Sequence, residues 1–83
     1  MQALNSLSTM QKHIRDLVES KRLPPPSTRK VLRSDAGLTL AELASQLGVT
    51  KQALWYWEAG LRQPTGDNRI AYSRALDELK ELL

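Results

Sequence analysis

The residues of this chain best suited to chemistry are Lys51, Gln52, Trp55 and Tyr56, and the chemistry they suit is recognition rather than catalysis. An ammonium, an amide, an indole and a phenol at these spacings share one face of a helix. At about 100° per residue they fall within an arc of roughly 140°, while Ala53, Leu54 and Trp57 fall opposite. Bulky aromatics on both sides of one short helix imply a buried side and a side that meets a partner. The major groove of double-stranded DNA admits such a helix. Gln52 suits adenine bidentately, Lys51 a guanine or a phosphate, and Tyr56 a base or phosphate oxygen, while Trp55 packs on thymine methyls or a sugar edge. The competing reading is a protein-docking face with Trp55 and Tyr56 as its hot spot, or a Trp55 covered by the chain's N-terminal helix.

Catalytic and metal chemistry lack the residues they need. There is no cysteine and a single histidine, His13, with no glycine-rich phosphate loop and with carboxylates scattered over solvent-facing positions. The expectation is a non-enzymatic protein without a cofactor or metal. No run approaches the ~20 apolar residues of a membrane span, and the first residues lack the basic and apolar regions of a signal peptide, so a soluble, cytoplasmic protein is expected. The net charge of +3 is unevenly spread. Residues 1–36 hold seven Lys and Arg against three acids, residues 37–66 two against two, and residues 67–83 three against four. A basic N-terminal part fits a polyanionic partner.

Positioning the four residues requires helices throughout, because apolar residues recur at three- and four-residue steps and nothing alternates as a strand does. Leu4, Leu7, Met10, Ile14, Leu17 and Val18 line one side of a first helix, with Ser8 and Gln11 as a possible capping box. It must end by Leu23, since Pro24-Pro25-Pro26 forces extended geometry. Residues 1–23 are therefore expected to be an amphipathic appendage, 24–26 a stiff linker, and 27–83 the main domain. A second helix is expected from an N-cap at Ser27 or Thr28 to about Ala36, followed by Gly37. Thr39 and Glu42 form a capping box for a third, flanked by Leu38 and Leu43 at staple spacing, and Gly48 ends it. Thr50 caps the fourth helix, with Val49 and Leu54 at staple spacing, and Gly60 closes it. Asp67 is the expected cap of a last helix carrying Ile70, Tyr72, Ala75, Leu76, Leu79, Leu82 and Leu83. Helix starts also suit phosphate: the amides near Thr39, Leu40 and Ala41, the cap Thr50, and Arg62 after the fourth helix are the candidate backbone contacts.

Arg33, Ala36-Gly37-Leu38-Thr39, Glu42-Leu43-Ala44, Leu47-Gly48-Val49-Thr50, Leu54, Trp57-Glu58, Gly60 and Pro64 together resemble the Cro/CI-type (XRE) helix-turn-helix of phage repressors and bacterial regulators. The resemblance runs from residue 29 to 64. It implies an all-α, lambda-repressor-like bundle of about four helices, here preceded by the proline-tethered helix. It makes helix 50–60 the recognition helix, places Lys51, Gln52 and Tyr56 at base-contacting positions with Trp55 beside them, and makes Arg33 and Glu58 an ion pair between two helices. Where many members carry a glutamine at the start of the third helix, this chain has Leu40, which leaves the backbone amides to hold the phosphate there.

The expected function is a sequence-specific, repressor-type transcriptional regulator, of phage or bacterial kind. The alternative is an adaptor or antitoxin that uses the same surface for a protein. The stripe on residues 4–18 can pad the core, pair with a second copy or bind another protein. A homodimer is the favoured outcome, through this stripe, through Leu76, Leu79 and Leu83, or both. It would set two recognition helices about 34 Å apart on a palindromic site.

Overall fold

The computed structural model describes residues 14–83, and all regular structure among them is helical. Residues 14–20 are helical (α1), followed by α2 Pro26–Asp35, α3 Leu40–Leu47, α4 Lys51–Ala59 and α5 Gly66–Leu82. Leu4, Leu7, Met10, the Ser8–Gln11 box and His13 lie outside the described residues.

Capping chemistry sets the middle boundaries. Thr39 Oγ1 accepts from the Glu42 N–H at 3.1 Å while the Glu42 carboxylate accepts from the Thr39 N–H at 2.9 Å, so the α3 box is complete. Gly48 then takes the left-handed conformation at φ 69°, a region that costs a side-chain-bearing residue about 1–2 kcal/mol. In α4 the Thr50 hydroxyl accepts from the Ala53 N–H at 3.0 Å.

Two boundaries differ from expectation. Helix α2 begins at Pro26, with Pro25 at the N-cap and no side-chain cap, rather than after Ser27 or Thr28. A proline at the first helical position gives up only an N–H that would have no partner there, and its fixed φ suits the helix. Helix α5 begins at Gly66 behind Thr65, so Asp67 sits in the first turn as a favourable charge instead of capping.

The core gathers one face from each of four helices: Leu32 of α2, Leu43 and Ala44 of α3, Leu54 and Trp57 of α4, and Tyr72, Leu76 and Leu79 of α5. Rings of Trp57 and Tyr72 meet at 5.1 Å between centroids. Leu76 and Leu79 are thus consumed by the chain's own core, and a dimer stripe through them is ruled out; of that set only Leu83 stays exposed. The segment after α1 is stitched to α5. Arg69 Nε donates to the Lys21 carbonyl at 2.7 Å, Ser73 Oγ to the Arg22 carbonyl at 2.8 Å, and Leu23 packs on the core. Ile14, Leu17 and Val18 remain exposed on α1.

Candidate nucleic-acid interface

Helix α4 is clamped from behind by two arginines of α2. Arg33 Nε and Nη2 donate to the two carboxylate oxygens of Glu58 at 2.5 and 2.9 Å, and Nη1 donates to the Leu38 carbonyl at 2.8 Å. Both side chains are nearly buried. The Glu58 hydrogen bonds raise the guanidinium's affinity for its proton, against the opposing effect of burial. Arg29, only 5% exposed, donates Nη1 to the Trp57 carbonyl at 3.0 Å and Nε to the Pro24 carbonyl at 2.8 Å. It adds a second donor to a carbonyl in the last turn of α4 that also accepts from the Gly60 N–H at 3.3 Å. Burial pulls the Arg29 pKa down from its ordinary value. At the same end, Gly60 lies against Pro26: a Cβ there would meet the proline Cγ at 3.0 Å. Behind these contacts the Tyr72 hydroxyl is buried without a partner among the described residues, and burial keeps it protonated by pushing its pKa up.

The opposite face of α4 carries the expected side chains. Lys51 and Gln52 are exposed, Trp55 is 50% exposed, and Tyr56 is partly buried. Gln52, Trp55 and Tyr56 are arranged by one another before any partner arrives. Gln52 Nε2 donates to the Tyr56 hydroxyl at 3.4 Å, and the Trp55 and Tyr56 rings meet edge to face with centroids 5.3 Å apart. The Arg62 guanidinium stacks 4.5 Å above the Tyr56 ring. Leu40, Lys51, Gln52, Trp55 and Tyr56 line an open hollow of about 480 Å³. Thr50, Gln52, Ala53, Tyr56 and Arg62 line a smaller one of about 180 Å³ beside it.

The structure therefore brings Lys51, Gln52, Trp55, Tyr56, Thr50, Arg62 and Leu40 to one surface, and Arg33 to Glu58 behind it. Ala41 faces elsewhere, onto a hollow shared with Leu38, Glu42, Ser45 and Gln46. The Thr39 N–H is already taken by the Glu42 carboxylate. The amides of Leu40 and Ala41, in the first turn, are left without intrahelical acceptors. Two basic residues were not singled out by the sequence reading. Lys30 is exposed and lines a cleft of about 420 Å³ with Leu40 and Trp55, at the edge of the surface. Its position three before Arg33 on α2 was the available signal, since that spacing puts both on the side facing α4. Arg29 had no comparable signal, because its partner lies 28 residues away.

A family model described as helix-turn-helix matches residues 29–82, well over half of the chain. The chain belongs to the Cro/CI-type helix-turn-helix family. No curated protein and no solved structure matches it. The family match runs through α2, α3, α4 and α5, making α3 and α4 the helix-turn-helix, and leaves α1 outside. A chain of this family is a DNA-binding regulator, and the family is generally non-enzymatic. Among the described residues no helix is long and apolar enough to cross a membrane.

Proposed function

We propose that this helix-turn-helix protein is a sequence-specific transcriptional regulator of repressor type, of phage or bacterial origin, acting in the cytoplasm. Helix α4 enters the major groove and presents Lys51, Gln52, Trp55 and Tyr56 to base edges. The Leu40 and Ala41 amides, the hydroxyls of Thr39 and Thr50, and Arg62 hold phosphates and fix the register. Lys30 adds a further phosphate contact from α2. Two copies bind inverted half-sites about 34 Å apart, so that the bound dimer covers a palindromic site. The exposed Ile14, Leu17 and Val18 support pairing through α1.

The observation that carries this reading is the asymmetry of α4. One face is fixed to α2 by Arg29 and Arg33, and the other presents Gln52, Trp55 and Tyr56 in mutual contact, with Arg62 stacked on Tyr56. Such pre-arrangement lowers the ordering cost of a specific contact. The test is selection of bound duplexes from a random pool at near-physiological salt, with Gln52→Ala/Tyr56→Ala protein in parallel. A motif of two inverted half-sites with the wild type, fading with the variant, is the expected result. Folded wild-type protein that enriches nothing would remove the regulator reading in favour of a protein-docking one.

A further inference from the structure

The hollow at the start of α4 is an odd feature for a surface that reads polar base edges. Its walls are Leu40 from the first position of α3 and the Trp55 indole from α4, with Lys51, Gln52 and Tyr56 completing the lining. Leu40 is partly buried and packs on the core, so this wall is rigid, while Trp55 keeps half of its surface in solvent. The edge-to-face contact with Tyr56, which lines the same hollow, restrains the indole. Charged groups flank the hollow: Lys51 lines it, and Lys30 lines the adjoining cleft that shares Leu40 and Trp55. An apolar pocket between two ammonium groups suits an apolar substituent carried on a polyanion.

The major groove displays one such substituent. Apart from the small C5–H of cytosine, the other groups that distinguish the bases there are hydrogen-bond donors or acceptors, and pressing Leu40 and Trp55 against one would strand it without a partner. The pyrimidine C5-methyl is the exception. We propose that Leu40 and Trp55 form a specificity-determining reader of the pyrimidine C5-methyl group, that of thymine or of 5-methylcytosine, at a position next to the base read by Gln52. The inference rests on the major-groove reading above and adds the chemical group that the apolar wall selects.

The experiment uses the duplex enriched from the random pool, with each thymine in turn replaced by deoxyuridine, which removes only the methyl. At one or two neighbouring positions per half-site the affinity falls about fourfold, the worth of one buried methyl-sized group. Trp55→Ala protein, checked by its melting curve, loses the thymine–uracil difference there and keeps its preferences elsewhere; Leu40→Gln does the same from the other wall. At the same positions, 5-methylcytosine binds more tightly than cytosine. A preferred site in which no methyl matters, or in which Trp55→Ala leaves the methyl effect intact, overturns the inference and leaves the major-groove reading standing. Absence of any preferred site would instead remove that reading and this inference with it.

Discussion

The ion pair behind α4 allows a sharp energetic prediction. Replacing Arg33 or Glu58 singly by methionine strands the other charge in a nearly buried site. The pair is bidentate, with bonds of 2.5 and 2.9 Å, and the two side chains are 11% and 5% exposed. Hydrogen bonds to charged groups contribute about 1.5–3 kcal/mol each, so two give about 3–6 kcal/mol. Removal of one partner of a buried pair independently suggests about 3–5 kcal/mol. The Leu38 carbonyl, which accepts from Arg33 Nη1, softens the Glu58→Met case and places it at the lower end. Domains of this size hold only about 5–15 kcal/mol in total, and 1 kcal/mol moves Tm by about 4–8 °C. Each single substitution should then lower Tm by at least about 12 °C. The double Arg33→Met/Glu58→Met protein leaves no stranded charge and should be more stable than either single variant. Urea unfolding followed by circular dichroism, with the wild type completing the cycle, measures all four. Single losses under about 1 kcal/mol, or a double variant that loses the sum of the two, would refute the reasoning.

Three further outcomes follow from the same contacts. Gly60→Ala must hold a side chain at φ 73° and 3.0 Å from Pro26, whereas Gly37→Ala, at φ 78°, meets nothing within 4 Å. Both should destabilise by about 1–2 kcal/mol for the left-handed backbone, with Gly60→Ala clearly the worse in urea titration. Glu42 is held below its ordinary pKa of 4.5 by the Thr39 N–H, so its contribution is complete above pH 4.5 and lost as pH falls through the lowered folded value. Glu42→Gln should flatten that part of the acid-unfolding curve and lower stability at neutral pH, where the carboxylate's contribution is otherwise complete. Arg62→Ala should reduce the slope of log affinity against log salt by about one and weaken all duplexes alike, as a phosphate contact does.

Much of this arrangement was legible in local sequence, and the rest depends on tertiary contacts. The Thr39–Glu42 box, the Thr50 cap and the glycines at 37, 48 and 60 work within a few residues, so their types announce the turns. A rotation of 100° per residue sufficed to send Leu54 and Trp57 inward and Lys51, Gln52 and Trp55 outward. Three prolines read as a spacer, which puts the expected start of α2 two or three residues late, although the last of them suits a first helical turn. Leu76 and Leu79 looked available for a dimer because an apolar stripe does not reveal whether its partner is another helix of the same chain. Arg29 was passed over for a related reason: it looked like surface charge and is instead a buried tie to the Trp57 carbonyl. Arg33 and Glu58 entered only by resemblance, since nothing in their own neighbourhoods pairs residues 25 apart.

The central claim is that the outer face of α4 reads base identity, and a change of specificity at Gln52 tests it most directly. Glutamine matches adenine bidentately and arginine matches guanine, and Gln52 is exposed enough to be exchanged without disturbing the core. Random-pool selection with Gln52→Arg protein should return the wild-type motif with adenine changed to guanine at one position in each half-site. An unchanged motif, or a preference weakened evenly across all positions, would contradict the account.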